Sequence, residues 1–294
     1  MQPSAAAQSG FLRRRLERAG GTPVGYGRSV CRDPALHTWS RYAADVIALL
    51  DHLGASEAVV GGTGLGGTIA LRAAPAFPSR VRAVVVISAE DIEDDEAKVA
   101  ETALVDRFAE RVRGDGIEAA WELFLPHLQP LIGNLVRSAI PRADPGSVAA
   151  AAAIGRDRSF RTLDELGAIE VPVLIVPGAD ERHPAELAER MSATIPHATL
   201  ARNVSFDALA TADDLAGAVV PQIRRFLGNC GHYPSPCVPE PPSSDRRTLA
   251  MAMWLGTGTA AQRCLVRGPG ADRACRAASC VAGSGRHASV TLGL

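Results

Sequence analysis

The stretch GGTGLGGT, residues 61–68, follows the apolar run ASEAVV and leads into IALRAA. An apolar strand running into clustered glycines and then a helix is a turn where backbone must bend sharply. Two chemistries use such a turn. Gly62, Gly64 and Gly67 satisfy GxGxxG, in which glycines let a dinucleotide pyrophosphate approach the backbone at a helix N-terminus. Glu90 and Asp91, just past the next strand, would then bind the ribose. The other use is a nucleophile elbow, written small-x-nucleophile-x-small, which lifts one side chain out of a strained turn. About sixty residues precede the glycines, whereas a dinucleotide fingerprint normally sits on the first strand of its domain.

The surrounding pattern is α/β. WSRYAADVIALLDHL (39–53) spaces Tyr42, Val46, Ile47, Leu50 and Leu53 as an amphipathic helix, and Gly54 ends it. Residues 57–61 read as a buried strand, 65–77 as a helix and 81–88, RVRAVVVI, as a second apolar strand. From 89 to 168 the strand signal vanishes and helical patterns replace it. Strand 172–177, helix 184–194, strand 198–202 and helix 211–227 then restore the alternation. Pro221 predicts a kink or break in that last helix. Unbroken apolar strands alternating with helices predict a mostly parallel sheet covered on both faces.

Beyond 227 the texture changes to Gly, Pro, Ser, Cys and Arg, which predicts a low-order tail over 228–294. The expected organisation is therefore an N-terminal helical remnant at 1–24, a core at 25–88 and 169–227, a helical insertion at 89–168, and that tail. The chain has 294 residues, 47% of them hydrophobic and 21% charged, with a net charge of −1. That balance gives no bulk field for nucleic acid or an anionic membrane. No apolar run is long enough to span a bilayer, and the N-terminus lacks a signal-peptide pattern, so a cytoplasmic protein is expected. Five of six cysteines lie in the last 65 residues without zinc spacing, so neither metal nor cofactor is expected.

Taken together, the segments resemble the α/β-hydrolase superfamily. GYGRS (25–29) is similar to the turn after that family's fourth strand. VVGGTGLGGTIALRAAPAFPSRVRAVVVIS is similar to its elbow, helix and next strand. VPVLIVPGADERHP (171–184) resembles the strand and loop that present its acid, and IRRFL its closing helix. The resemblance implies ester, lactone or related acyl-transfer chemistry, and a small apolar or ester-like ligand. It also implies a sheet of four to five strands, because the family's first strands have no counterpart before residue 25.

Carried onto this chain residue by residue, the resemblance puts the nucleophile at Gly64, which has no side chain. Thr63 is one residue early, and using it would set Leu65 where a small residue is needed. Leu65 would supply one oxyanion-hole N–H, and the loop for the second donor is missing. Asp180 takes the acid position, with Glu181 and Asp91 as alternatives and a turn or N-cap role for Asp180 equally open. The histidine is a second gap, since the loop after strand 198–202 has none. His183 reads as a loop-shaping residue beside the acid, His197 lies at the opposite end of the sheet, and His232 comes after the closing helix. His37, His52 and His127 read as ordinary helix or surface residues. A pseudoenzyme is expected, and serine at 64 alone is expected to restore nothing.

Overall fold

The structure is a computed structural model; it describes residues 17–21, 30–90, 92, 94–207, 209–230 and 250–254. Its strands are β1 (Glu17–Gly21), β2 (Ala58–Thr63), β3 (Val81–Ile87), β4 (Val173–Val176), β5 (Ala198–Leu200) and β6 (Ala250–Trp254). They form one sheet in the order β1-β6-β2-β3-β4-β5, and every pairing is parallel. The helices are α1 (Trp39–His52), α2 (Leu65–Ala76), α3 (Asp95–Gly114), α4 (Ile117–Trp121), α5 (Pro130–Ala139), α6 (Pro145–Ala151), α7 (Ala185–Thr194) and α8 (Ala212–Cys230).

Successive strand side chains point to opposite faces, and the continuous apolar strands fill both. Val60, Val84 and Val86 pack on one face against Trp39, Tyr42 and Leu50 of α1, Ile69 of α2 and Met191 of α7. Val59, Val85, Ile87 and Leu174 pack on the other against Leu215, Val219, Ile223 and Phe226 of α8, with Leu131 and Ile132 of α5. Each such side chain contributes about 1.5–3 kcal/mol when fully buried, which is why no polar alternation survives in β2 or β3.

Between β3 and β4 the described residues contain helices and no strand. Phe108, Trp121 and Phe124 hold this insertion together, with ring centroids 5.2–5.5 Å apart. Asp94 caps α3 by accepting from the Ala97 N–H.

Three expectations are corrected. Residues 17–21 are a strand and not part of a helical remnant. Residues 250–254, inside the expected tail, form β6 between β1 and β2, so the sheet has six strands and not four or five. Without β6 the backbone of β2 would have an unpaired edge, and an unpaired edge is a template for an added strand. Pro221 does not break α8, which runs from 212 to 230. One forfeited backbone bond is outweighed by burial of Leu215, Val219, Ile223 and Phe226 on the same helix. The rest of 228–294 beyond Cys230, His232 included, the GYGRS turn and Asp91 lie outside the described residues.

Candidate functional site

The strand–glycine–helix turn has elbow geometry. β2 ends at Thr63, Gly64 takes φ 53° and ψ −124°, and α2 begins at Leu65. That backbone region is costly for any residue with a Cβ. The Gly64 N–H donates to the Ile87 carbonyl at 2.9 Å, and the Gly64 carbonyl accepts from Gly67 at 2.9 Å and Thr68 at 3.2 Å. Gly67 lets α2 lie close on the sheet, since a Cβ there would stand 3.0 Å from Val86.

A Cβ built on Gly64 would fall 2.9 Å from Glu90 Oε1 and 3.4 Å from His183 Nε2. The place of the absent side chain is therefore faced by two groups from elsewhere in the chain. Glu90 arrives just after β3, where Ser88 turns at φ 51°. Its carbonyl accepts from Thr68 Oγ1 at 2.6 Å, which ties it to the elbow helix. Its carboxylate accepts the Leu65 N–H, the group expected as an oxyanion donor.

His183 comes from the loop after β4. Asp180 accepts the N–H of Arg182 at 3.1 Å and of His183 at 3.0 Å, closing a tight turn. The same carboxylate accepts His183 Nδ1 at 2.7 Å, and its second oxygen accepts the Gln129 N–H at 3.2 Å. His183 Nε2 then faces Glu90 Oε2 at 3.3 Å. Arg182 makes a two-pronged pair with Glu101 of α3 at 2.8 and 3.2 Å, lies 4.8 Å over the Phe124 ring, and reaches Glu90 at 3.9 Å. It fastens the acid loop to the insertion.

Electrostatics follow from these contacts. Burial disfavours charge on His183, but hydrogen bonds and charges from Asp180 and Glu90 outweigh it and push its pKa up to about 9. Burial also pushes Glu90 up, but His183, Arg182 and the Leu65 N–H hold it below the usual carboxylate range. Asp180 is lowered for the same reason, with burial outweighed by the His183 ring and backbone donors. At neutral pH His183 is an imidazolium between two carboxylates, and an imidazolium accepts no proton.

Several sequence expectations change here. His183 does more than shape its loop: it is the histidine that approaches the elbow, and Asp180 is its partner. Glu181 reaches outward to the exposed His127, 2.7 Å away, and not to the elbow. Glu90 sits on His183 and the Leu65 N–H, the donor that a dinucleotide phosphate would have used. Thr63 is 2% exposed, and its Oγ1 has no hydrogen-bond partner, so no base touches it. His37 is buried against Tyr42 Oη at 2.7 Å, and His197 precedes β5 with its carbonyl bonded to Val173. Two residues were missed for what they do. The Asp-x-x-His spacing of Asp180 and His183 carried a signal, because a capping Asp can reach a side chain three residues on. Glu90 had none, since its meeting with Gly64 exists only once β2 and β3 are paired.

A cavity of about 210 Å³ opens above this cluster. Thr63, Gly64, Leu65, Glu90, Arg182 and His183 form its polar floor. Val105, Phe108, Trp121, Phe124, Ile132 and Val136 of the insertion line the rest. Among the described residues no group of three or more His, Cys, Asp or Glu is arranged to hold a metal ion, and no helix is long and apolar enough to cross a membrane.

The chain matches the family described as alpha/beta hydrolase fold over residues 23–208. Among solved structures it is similar to a thermophilic esterase from Thermogutta terrifontis, with 26% identity, 71% of this chain and 78% of that one covered, and a TM-score of 0.57. An enol-lactonase from Burkholderia xenovorans LB400 shares the fold at 19% identity, with 70% and 78% covered and a TM-score of 0.56. An esterase from Exiguobacterium antarcticum does so at 20% identity, with 70% and 79% covered and a TM-score of 0.53.

Proposed function

This chain belongs to the alpha/beta hydrolase fold family, and from that premise we propose that it is a small-ligand-binding member related to ester and lactone hydrolases that does not run the Ser-His-Asp reaction. The observation that carries this reading is the occupancy of the elbow. Gly64 holds the backbone of a nucleophile position, and the Glu90 carboxylate fills the space its side chain would need. The same carboxylate faces His183, which Asp180 and Glu90 together hold as a cation. A triad needs a neutral imidazole to take the nucleophile's proton. Both requirements fail: the nucleophile for want of a side chain at Gly64, and the base through Asp180 and Glu90 together.

The cavity supports the binding half of the reading. An apolar chamber with a few converging polar groups is the usual form of a small-molecule site. Glu90 on the Leu65 N–H also weighs against a dinucleotide at Gly62, Gly64 and Gly67, because the helix N-terminus already holds an anion. The test pairs two measurements on the intact chain. A fluorophosphonate probe and p-nitrophenyl esters report covalent chemistry, and Trp121 fluorescence reports occupancy of the cavity. Saturable quenching by an apolar ligand without labelling or turnover is the expected result. Labelling at any residue, or steady ester turnover, would overturn it.

A further inference from the structure

We propose that His37 is an acid-sensitive fastener: its neutral ring holds residues 30–38 in the shape that clasps the helical insertion, and protonation of that ring releases the clasp. The clasp holds the insertion whatever the cavity binds. It has two parts. The Cys31 N–H donates to Ser147 Oγ of α6 at 3.0 Å, and Arg32 makes a two-pronged pair with Asp144 at 2.7 and 3.0 Å. The Arg32 side chain is 67% exposed, so that pair alone contributes little. Ser147 is buried, so its bond to Cys31 is the costlier one to break. What sets Cys31 in place is the ring of His37, which is 1% exposed. Its Nε2 lies 3.3 Å from the Cys31 carbonyl, and its Nδ1 lies 2.7 Å from Tyr42 Oη of α1.

A carbonyl only accepts, so Nε2 carries the proton and Nδ1 accepts from the Tyr42 hydroxyl. Both ring nitrogens are thus used in the neutral form. A second proton, on Nδ1, would face the hydroxyl hydrogen, which Tyr42 must then turn away. The new charge would also be buried, and the charged groups around it offer little compensation. Asp33 of the same segment is exposed and accepts the Ala35 N–H. Asp144 is committed to Arg32 and Ser147, and Asp157 to the N–H groups of Trp39 and Arg158. Arg41 of α1 pairs with Asp45, and Arg156, from the turn lying against residues 34–36, pairs with Asp106. Burial therefore outweighs the Cys31 carbonyl and Asp33 and holds the ring below the ordinary histidine range. Once residues 30–38 lift from α6, the ring meets water and takes a proton readily. The released form then binds more protons than the clasped one, so falling pH favours it. Val148 and Ala151 of α6 line the cavity, so release loosens one of its walls.

Amide exchange read by NMR on the full chain tests this, as protection factors at pH 7.5 and pH 5.5. The Cys31 amide loses up to about tenfold in protection at the lower pH, the limit for one proton taken up at an ordinary histidine pKa of about 6.5. The amides of Val84, Val85 and Val86 in β3 keep theirs. His37→Gln offers a donor and an acceptor but takes no proton, and its Cys31 protection is the same at both pH values. An unaltered chain whose Cys31 protection is also the same at both overturns the proposal. An equal loss in β3 does so too, since the event is then unfolding of the whole chain. A loss that persists in His37→Gln belongs to another group and likewise overturns it. Where that variant does not fold, the Cε1 proton of His37 decides in the unaltered chain. A titration midpoint below 6.5 supports the fastener, and one at or above 6.5 overturns it.

Discussion

Gly64→Ser is the most informative perturbation of this chain. At φ 53° and ψ −124° a residue with a Cβ carries strain of about 1–3 kcal/mol. The new Cβ would also stand 2.9 Å from Glu90 Oε1, so the carboxylate must shift. Shifting it weakens a buried charge-assisted bond to His183, worth about 1.5–3 kcal/mol. Together these give a destabilisation of about 3 kcal/mol, read from urea midpoints at pH 7. Removing Glu90 first removes the crowding but not the backbone strain. Gly64→Ser with Glu90→Ala is therefore less destabilised than the two singles added, by about 1–2 kcal/mol. Activity follows the same logic. His183 Nε2 lies 3.4 Å from the Cβ position, so a serine hydroxyl one bond further out comes within hydrogen-bond reach. The single variant gains no p-nitrophenyl butyrate hydrolysis, because Glu90 remains on the histidine. The double variant exceeds it by about 100-fold or more, since His183 loses one of its two carboxylates and becomes available as a base. A Gly64→Ser chain as active as the double variant would refute the blocking role of Glu90. A folded double variant with no activity, its His183 pKa having fallen, would refute the placement of His183 at the elbow.

Three further outcomes follow from the same contacts. The His183 pKa of about 9 exceeds its unfolded value, so its contribution of about 3 kcal/mol is complete below pH 6.5 and fades as pH rises through 9; urea midpoints should fall over that window, and His183→Gln should flatten the decline. In Glu90→Gln the His183 ring, followed by the NMR shift of its Cε1 proton, should titrate at a lower pH, and an unchanged titration would contradict the bond to Glu90. Phe226→Ala on α8 should cost about 3–5 kcal/mol in chemical denaturation, and a loss below about 1 kcal/mol would mean that α8 is not packed against the sheet.

The strands and helices of residues 39–88 and 172–227 were legible because burial on both faces writes long apolar runs into β2 and β3. Their predicted bounds agree with the structure to within a residue or two at most ends. Gly64 at the elbow was legible for a related reason, since a turn this sharp demands small neighbours at fixed offsets. The functional site was half legible. Asp180 was singled out because it follows a strand end, but His183 was judged by where a family histidine ought to be and not by its three-residue distance from Asp180. Glu90 was seen only as a ribose ligand. Its partnership with Gly64 spans 26 positions and depends on the register of β2 against β3, which no local pattern encodes. β6 was missed because five residues in a Gly- and Pro-rich segment carry too weak a signal until a strand edge is there to receive them. Serine alone at 64 was expected to fail for want of a histidine and an oxyanion loop; His183 Nε2 lies 3.4 Å from the Cβ position, and Glu90 is the obstacle we propose.

The pairing of Asp180 with His183 across three residues has a consequence for loss and recovery of order. Closing so short a loop costs little chain entropy, and the turn is fastened by two backbone donors to the same carboxylate. The ring is thus oriented by its own hairpin-sized segment, independently of the closing helix and the last strand. Partial opening of the helical insertion would free Arg182 from Glu101 yet leave the imidazole aimed as before. In hydrogen exchange, the amides of Arg182 and His183 should protect together as one small cooperative unit, outlasting those of α3 above them.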